Sequence, residues 1–298
     1  MKTIEKIKKL KCGKVIENVD LCKYTTYKLH TICKYMIFPN DIKDLKKIIT
    51  FVKDNNLKYK IVGGGANLIF KDKYYDGIII KLDNFNMLTI DDTKIKVGAG
   101  YNLMKLALKT CKLGLTGLEF ATGIPGTVGG AIYNNAGAYK SDMGYIVESI
   151  TVLDENLEIK KLYNKDLNFH YRTSKLKEEN KYICLDATII LKHGNVKNIL
   201  EIVEDRKSRR LMTQPLEYPS AGSVFRNPED NYAGKLIEDI GYKGKQIGGA
   251  MVSLKHANFI VNVGNASGED IVTLITEIKE KVKEKYNIDL VLEQEIVQ

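Results

Sequence analysis

The segment GLEFATGIPGTVGGAIYNNAGAY, residues 117–139, is the stretch of this sequence that says most about the fold. Six of its 23 residues are glycine, and Glu119 is its single charged residue, whereas 28% of the whole chain is charged. Glycine permits positive φ angles and lets consecutive backbone N–H groups converge on an anion that a Cβ atom would block. Tight turns between closely packed backbones also need glycine, so the segment by itself indicates a close contact with either a ligand or another backbone.

A second glycine-rich segment, VGGGANLI at residues 62–69, follows the predicted strand KYKIV directly. A dinucleotide fingerprint of the G-x-G-x-x-G type is incomplete here, because Leu68 occupies the third glycine position, and GAGYNL fails in the same way at Leu103. Asp83 does lie 20 residues beyond Gly63, where a ribose-binding acid is expected, but no P-loop motif exists in the chain. Two glycine-rich loops in one lobe together favour a large ligand with a phosphate-rich middle.

Composition limits the class of protein. With 298 residues, 44% hydrophobic content and no apolar run near the roughly 20 residues that span a bilayer, the chain reads as globular. The N-terminal residues Ile4, Ile7 and Leu10 have helical spacing and lack a secretory apolar region, so we expect a cytoplasmic protein. The net charge of +9 is spread evenly and is not interleaved with aromatic residues, which favours small anionic substrates over nucleic acid or membrane partners.

Cysteines and histidines show no metal-binding spacing. The number of cysteines is odd, they are scattered without a CxxC motif, and the four histidines are equally dispersed. We therefore expect reduced thiols and no metal site. The residues concerned are Cys12, Cys22, Cys33, Cys111, Cys184, His30, His170, His193 and His256.

The pattern along the chain predicts a mixed α+β protein. Apolar periodicity predicts helices over 39–53, over 102–113, from residue 196 and over 267–285. Short apolar runs predict strands at 58–62, 77–82, 94–100, 182–192 and 258–263, a hairpin over 150–162 and a closing strand over 288–297. The pattern changes near residue 194, which indicates a glycine-rich lobe followed by a smaller lobe.

Three separate segments carry side chains suited to chemistry. Arginine is rare in this lysine-rich chain, so Arg172 in YRTS and Arg226 in YPSAGSVFRNP mark positions that need a permanent planar cation. Ser223 has no nucleophile-elbow or triad context, so it is better suited to donate a proton than to attack. Glu293 and Glu295 share one face of the closing strand. Each residue alone also fits an ordinary surface or solvated position.

Together these motifs resemble one family. Their order along nearly the whole chain is similar to that of the UDP-N-acetylenolpyruvoylglucosamine reductase family in its type II form. The matching segments are YTTYK (24–28), VGGGANLI (62–69), GLTGLEFATGIPGTVGGAIYNNAGAY (114–139), YRTS (171–174), QPLEYPSAGSVFRNP (214–228), AGKLIEDIG (233–241), VSLKHANFIVN (252–262) and LEQEI (292–296).

The resemblance implies an α+β fold: an FAD-binding fold of the vanillyl-alcohol oxidase type, built from two α+β subdomains, plus a C-terminal α+β substrate domain. It implies subdomains over 1–80 and 81–193, and a substrate-binding domain over 194–298. The implied activity uses NADPH and bound FAD to reduce the enolpyruvyl group of UDP-N-acetylglucosamine-enolpyruvate to UDP-N-acetylmuramate for peptidoglycan synthesis. A monomeric enzyme is expected. The implied FAD-binding residues are Gly63, Gly64, Gly65, Ala66, Asn67, Leu68, Thr122, Gly123, Pro125, Gly126, Thr127, Gly129, Gly130 and Asn135.

The resemblance also implies a division of catalytic roles. Hydride addition to an enol ether that bears a carboxylate pushes charge into an enolate, and that charge must be held before protonation. Arg172 would hold the carboxylate, Glu295 would stabilise the enol form as a protonated donor, and Ser223 would deliver the proton. The residues implied near the substrate are Tyr171, Gln214 and Asn227.

One segment departs from the family pattern. After YTTYK the family usually has a hydrophobic residue and a Gly-Gly pair, whereas this chain has Leu29, His30 and Thr31, whose side chains are larger. Two alternatives also stay open at this point: an FAD oxidase that acts on another substrate, and a non-catalytic nucleotide-binding protein. The combination of Arg172, Ser223 and Glu295 speaks against the second, because a binding protein does not need all three.

Overall fold

The computed structural model describes residues 3–298. Several helices begin where the sequence predicts a cap: the side chains of Asp41, Asn102 and Ser267 each accept a hydrogen bond from the backbone N–H three residues further on. The helices are α1 (Thr3–Lys9), α2 (Ile42–Asp54), α3 (Leu103–Lys112), α4 (Val128–Tyr133), α5 (Lys175–Glu179), α6 (Val196–Thr213), α7 (Ala233–Asp239) and α8 (Gly268–Tyr286). None of the helices in residues 3–298 combines the length and apolar character that crossing a membrane requires.

The strands are mostly short. They are β1 (Lys14–Asp20), β2 (Ile32–Phe38), β3 (Tyr59–Ile61), β4 (Leu68–Phe70), β5 (Tyr74–Ile80), β6 (Leu88–Asp91), β7 (Lys94–Gly98), β8 (Leu115–Thr116), β9 (Gly137–Ala138), β10 (Ser141–Asp142), β11 (Val147–Leu153), β12 (Ile159–Tyr163), β13 (Ile183–Ile190), β14 (Lys192–His193), β15 (Gln246–Ile247), β16 (Ala250–Val252), β17 (Ile260–Asn262) and β18 (Glu295–Val297).

These strands form six sheets within the described residues. A four-stranded sheet has the order β1-β2-β5-β3, and a five-stranded sheet has the order β12-β11-β13-β7-β6. The smaller sheets are β15-β16-β17, β9-β10, β8-β14 and β4-β18. The hairpin predicted over 150–162 is confirmed, since β11 and β12 pair antiparallel with Ile150 opposite Leu162.

The chain forms two compact units. Unit 1 comprises the described residues of Met1–Glu17 together with Tyr35–Gly64 and Gly77–Ser208; unit 2 comprises Asn18–Lys34, Gly65–Asp76 and Arg209–Gln298. The functional ranges 1–80, 81–193 and 194–298 stay a prediction.

The core of unit 1 lies on its two larger sheets. In the five-stranded sheet, Ile95, Val97 and Ala187 point into one cluster with the buried residues of α3 and α4. Helix α2 buries Leu45 and Ile48 in a second cluster that includes side chains of β2 and β5. Since each buried aliphatic side chain contributes about 1.5–3 kcal/mol, these faces hold the loops between them in place.

In unit 2, helix α8 buries Ile271, Leu274 and Ile278 against β16, β17 and α7. All five cysteines of the chain are free thiols, as the sequence predicts.

The predicted closing strand over 288–297 is wrong in its length. Only Glu295–Val297 form a strand, which pairs parallel with β4. The preceding residues run along a loop instead: the Arg226 N–H donates to Val291 O at 2.9 Å and the Glu293 N–H donates to Val224 O at 2.8 Å. Phe225 and Leu292 therefore form an isolated bridge, because the loop offers no regular strand edge for a longer ladder.

Candidate active site

Two glycine-rich loops of unit 1 pack directly against each other. A Cβ atom on Gly63 would lie 2.5 Å from Thr127 Oγ1, and one on Gly64 would lie 2.6 Å from the Cα atom of Gly126. Side chains at these positions would push the loops apart, because real Cβ atoms do not approach other atoms so closely. Close packing of backbones, one of the two readings left open by the sequence, therefore explains these glycines.

The same loops still present backbone donors. Within residues 3–298, the N–H groups of Gly63, Gly64 and Gly126 have no hydrogen-bond acceptor, and all three residues are partly exposed. Buried or half-buried N–H groups without partners are uncommon, and a set of them next to each other can bind an anion. The loops thus combine close backbone packing with backbone donors that have no acceptor among the described residues.

Backbone hydrogen bonds fix the second loop onto its neighbours. The Leu103 N–H donates to Gly126 O at 3.1 Å, and the Gly129 N–H donates to Ala99 O at 2.8 Å. A Cβ atom on Gly129 would lie 2.9 Å from the Cβ atom of Ala99. Thr127 caps α4 by accepting a hydrogen bond from the Gly130 N–H at 3.4 Å.

Lys81 is a residue of this region that the sequence analysis missed. Its side chain is 7% exposed, lies 3.3 Å from Asp83, and its ammonium donates a hydrogen bond to the carbonyl oxygen of Gly63. A buried lysine needs such partners, and through the Gly63 carbonyl Lys81 anchors the first glycine-rich loop. The available signal was a lysine placed directly after the apolar run of β5.

Glu119, the single charge in the segment over 117–139, has a structural role. It is 7% exposed, and its carboxylate accepts hydrogen bonds from the Thr116 hydroxyl and from the Gly117 N–H. The nearby Thr122 hydroxyl donates to Glu119 O at 2.9 Å. Gly123 and Pro125 follow in the loop before α4, where Pro125 is exposed.

Arg172 occupies a strained turn in unit 1. His170 and Thr173 exchange backbone hydrogen bonds of 3.0 and 3.2 Å, which makes Tyr171 and Arg172 the two central residues. Arg172 has a φ of 59°, a left-handed conformation that normally favours glycine or asparagine. Its guanidinium lies 5.2 Å from the centre of the exposed Tyr171 ring. Strain of this kind is concentrated at functional sites, where the position of a side chain matters more than its backbone cost.

The buried side chain of Asn135 is hydrogen-bonded to this turn. It is 1% exposed, its Nδ2 donates to His170 O at 2.9 Å, and its Oδ1 accepts from the Gly144 N–H at 3.0 Å. Both ends of the carboxamide are therefore bound to protein. The expected contact of Asn135 with a cofactor stays a prediction.

In unit 2, residues Gly65–Leu68 of the first glycine-rich segment meet the C-terminal strand. Gly65 has a φ of 62°, and a Cβ atom there would lie 2.2 Å from Tyr24 O. The Asn67 side chain donates to Glu293 O at 3.1 Å, and the Glu295 N–H donates to Asn67 O at 2.9 Å. Ala66, between Gly65 and Asn67 in the chain, is partly exposed. These bonds place the Glu295 position beside the Asn67–Leu68 backbone.

Ser223 belongs to a loop that pairs with the residues just before Glu295. The loop over 219–228 runs antiparallel to residues 291–294, so Ser223 and Glu295 belong to paired segments of unit 2. Ser223 is partly exposed, and its hydroxyl has no hydrogen-bond partner among the residues that the structure describes. The hydroxyl is thus available to a bound molecule.

Asn258 holds the loop next to Ser223 and was also missed. Its Oδ1 accepts from the Phe225 N–H at 3.0 Å, its Nδ2 donates to Phe225 O at 2.8 Å, and its backbone O accepts from the Val224 N–H at 2.9 Å. It is 4% exposed. The signal for this role was an amide residue inside the apolar segment HANFIVN.

The remaining predicted residues lie at the edges of elements. Gln214 follows the end of α6, and its backbone N–H donates to Arg210 O. Asn227 is exposed, and its Oδ1 accepts a hydrogen bond from the Ala233 N–H at 3.1 Å at the start of α7. Arg172 belongs to unit 1, whereas Ser223 and Glu295 belong to unit 2.

Comparison with known proteins shows a consistent set of matches. A family model for the C-terminal domain of UDP-N-acetylenolpyruvoylglucosamine reductase matches residues 214–297, and a model for an FAD binding domain matches residues 33–163. UDP-N-acetylenolpyruvoylglucosamine reductase of Anoxybacillus flavithermus is 44% identical over 294 residues, which cover 98% of this chain and 97% of that protein. The protein of the same name from Bacillus subtilis is 41% identical over 297 residues, covering 99% of this chain and 98% of its own length.

A solved structure gives the same result at the level of the fold. The crystal structure of UDP-N-acetylenolpyruvylglucosamine reductase from Thermus caldophilus matches with a TM-score of 0.80 and 31% identity, covering 96% of this chain and 98% of that chain. These matches confirm the predicted fold class, an FAD-binding domain of the vanillyl-alcohol oxidase type with a C-terminal domain of the reductase type.

Proposed function

The chain belongs to the UDP-N-acetylenolpyruvoylglucosamine reductase family, and from this we infer that it is an FAD-dependent oxidoreductase of peptidoglycan precursor synthesis. It uses NADPH to reduce the enolpyruvyl group of UDP-N-acetylglucosamine-enolpyruvate to UDP-N-acetylmuramate. We propose that it acts as a monomer in the cytoplasm. We propose that the ranges 1–80 and 81–193 are its two FAD-binding subdomains and that 194–298 is its substrate-binding domain.

The glycine-rich loops fit the diphosphate of FAD. Gly63, Gly64 and Gly126 lack side chains and offer backbone N–H groups that have no acceptor within residues 3–298. Anions bind to such groups because the N–H dipoles converge and no Cβ atom intervenes. These residues would hold the diphosphate, and the bound flavin would supply the hydride chemistry between NADPH and the enolpyruvyl double bond.

Arg172 and Glu295 stabilise the charge that hydride addition creates. Addition at C3 moves electrons onto the carboxylate side of the enol ether, where the Arg172 guanidinium holds the carboxylate by two parallel hydrogen bonds. The Glu295 carboxyl group would help to stabilise the enol form. Because these interactions are stronger with the enolate than with the substrate, they lower the barrier to the step.

Ser223 completes the reduction by giving its hydroxyl proton to C2. The alkoxide that remains is reprotonated from water, so the net reaction adds one hydride and one proton across the double bond. Tyr171, Gln214 and Asn227 would contact the substrate near this centre.

One observation carries this proposal. Glu295 lies in β18 beside Asn67, and residues 291–294 directly before it pair with the loop of Ser223. A carboxyl group and an unpaired hydroxyl are thereby brought into one region of unit 2 next to part of the first glycine-rich segment.

The two half-reactions test it. We expect Ser223→Ala to bleach the flavin with NADPH at the normal rate and to lose reoxidation by the UDP-sugar substrate, by at least about a hundredfold. Ser220→Ala, three residues upstream in the same loop, is the matched control and should keep both steps. Full turnover in Ser223→Ala would remove the proton-donor role, and oxygen consumption without any response to the UDP-sugar would favour an oxidase instead.

A further inference from the structure

Three side chains of types that can bind a metal lie together in unit 2, and none of them is assigned to the reaction. Asp20, Cys22 and His30 each place one ligand atom so that all three atoms lie within 4.8 Å of one another. The carboxylate of Asp20 is 2.7 Å from Nδ1 of His30. His30 lies in the Leu29–Thr31 segment, which departs from the family pattern.

Backbone contacts hold the three residues in this arrangement. The Asp20 Oδ1 atom accepts a hydrogen bond from the Cys22 N–H at 2.9 Å, which leaves Oδ2 directed at His30. The Leu21 N–H donates to Thr31 O at 2.9 Å and so aligns the two segments. The Thr31 hydroxyl in turn donates to Asp72 O at 2.9 Å. These bonds hold the backbone that carries the three side chains, and a metal ion would not break them.

The combination of donor atoms selects a class of ion. A thiolate, an imidazole and a carboxylate suit borderline ions such as Zn²⁺, whereas Mg²⁺ and Ca²⁺ prefer oxygen ligands alone. Tetrahedral zinc with bonds of about 2.0–2.3 Å separates its ligand atoms by about 3.3–3.8 Å, which is within the 4.8 Å span here. The His30 side chain is 67% exposed, so an ion can enter from solvent.

We propose that Asp20, Cys22 and His30 form a binding site for Zn²⁺, with water in the fourth position. Binding displaces the thiol proton of Cys22 and replaces the direct Asp20–His30 contact by two bonds to the metal. Sequence spacing does not reveal this site, because the third ligand comes from a separate segment eight residues beyond Cys22.

Cysteine reactivity provides a direct test on the flavin-loaded enzyme. Cys12, Cys33, Cys111 and Cys184 are buried, whereas Cys22 is partly exposed, so a disulfide reagent should react with Cys22 faster than with the other four thiols under native conditions. We expect added Zn²⁺ to slow this reaction by at least about tenfold, since a coordinated thiolate is withheld from the reagent. Zn²⁺ should bind with one-to-one stoichiometry in competition with a chelating dye.

His30→Ala should abolish the protection while the Cys22 thiol stays reactive. Because the His30 side chain is 67% exposed, this substitution should leave the fold intact. His193→Ala is the matched control, because His193 forms an exposed pair with Asp92 at 2.8 Å that includes no cysteine. Unchanged thiol reactivity with Zn²⁺ in the wild type, or full protection in His30→Ala, would overturn the proposal. Cys22→Ser should remove the fast thiol itself, which verifies that Cys22 is the group observed.

A separate observation concerns the backbone beside Ser223. The side chain of Tyr27 is fully buried, and its hydroxyl donates to Gln294 Oε1 at 3.0 Å. Gln294, which is 3% exposed, uses its Nε2 to donate to Gly222 O at 3.0 Å. Burial raises the pKa of Tyr27 far above its ordinary value, with the Gln294 hydrogen bond opposing this, so the phenol stays protonated and remains a donor.

The hydrogen bonds from Tyr27 to Gln294 and from Gln294 to Gly222 form a relay that ends at a glycine with a positive φ angle. Gly222 has a φ of 77°, and no atom lies within 4 Å of where its Cβ would be, so glycine is needed there for its backbone angle and not for space. The oxygen of the peptide between Gly222 and Ser223 accepts the hydrogen bond from Gln294. We infer that Gln294, held by Tyr27, is a positioning residue that orients this peptide and hence the Ser223 hydroxyl; this rests on the proposed role of Ser223.

Gln294→Glu tests the relay by its dependence on pH. The ionised carboxylate still accepts from Tyr27 but cannot donate to Gly222 O, whereas the protonated acid can. We expect reoxidation of the flavin by substrate to fall by at least about tenfold at pH 8 and to recover as the pH is lowered, while reduction by NADPH is unchanged. Gln246→Glu is the control, because the exposed Gln246 makes a similar bond to Gly248 O at 2.9 Å.

The outcomes separate the two proposals. Equal pH profiles for Gln294→Glu and wild type, together with an inactive Ser223→Ala, would reject the relay alone. Full turnover in Ser223→Ala would reject the proton-donor role and the relay with it.

Discussion

Replacing Arg172 with glycine separates the shape of its turn from the chemistry of its side chain. In the wild type, Arg172 has a φ of 59° between the hydrogen-bonded pair His170 and Thr173. Glycine adopts this angle without steric cost, so Arg172→Gly keeps the turn and removes only the guanidinium. We expect nearly unchanged stability and a large loss of turnover.

The size of the stability change follows from three terms. A left-handed angle costs an ordinary residue about 1–2 kcal/mol, which glycine recovers. Glycine loses about 0.5–1 kcal/mol through the greater freedom of its unfolded chain. The contact of the Arg172 guanidinium with the half-exposed Tyr171 ring at 5.2 Å is worth about 0.5–1 kcal/mol. These terms nearly cancel, so the free energy of unfolding should change by less than about 1 kcal/mol.

Turnover responds very differently if Arg172 holds the substrate carboxylate. Loss of one well-placed charge-stabilising group typically lowers kcat by about 10²–10³-fold. Urea unfolding and the rate of flavin reoxidation by substrate, measured on the same preparation, give both quantities. Lys140→Gly is the matched control, since Lys140 is an exposed cation with a φ of 60° in the turn between β9 and β10. An Arg172→Gly enzyme that keeps its turnover, or that loses more than about 2 kcal/mol of stability, would show that the arginine is structural.

Two further predictions concern packing and pH. Gly64→Ala should destabilise unit 1 by about 1–3 kcal/mol and lower the flavin content, because the added Cβ would lie 2.6 Å from Gly126 Cα. Gly130→Ala is the control, since a Cβ there would lie 3.5 Å from its nearest atom. Urea unfolding of both variants in parallel should show a loss of stability for Gly64→Ala alone. Burial lowers the pKa of His256, so the unfolded chain binds more protons below its ordinary pKa of about 6.5. Stability should therefore fall as the pH drops from about 6.5 towards 5, and His256→Gln should flatten this dependence; equal slopes for both proteins would contradict it.

Many local elements could be predicted from the sequence because their signals are local. The cap at Asp41, the apolar face of α2 and the turn of the β11–β12 hairpin are each contained in fewer than about twenty residues. The closing strand could not be placed correctly, because its length depends on what lies beside it. Residues 291–294 pair with a loop from more than sixty residues upstream, and the apolar pattern of the segment contains no information about that partner.

The glycine-rich loops show the same limit at the level of the site. Their composition indicated a close contact, but only the structure shows that Gly64 meets Gly126 while N–H groups of the same loops have no acceptor in residues 3–298. The supporting residues Lys81 and Asn258 were missed because each looks ordinary in sequence. Their roles come from the carbonyl and N–H groups that surround them in the fold.

The amino-acid sequence by itself determined the class of this protein: the ordered motifs, the residue types suited to enolate chemistry, and most helices and strands. Only the tertiary structure decided that residues 18–34 and 65–76 pack with 209–298 in one unit, that Ser223 and Glu295 lie on paired segments, and that Asp20, Cys22 and His30 meet. The physical reason is the range of the interactions. Helix periodicity and caps act over a few residues, whereas strand pairs such as Leu68 with Glu295 join positions far apart in the chain and depend on the whole fold.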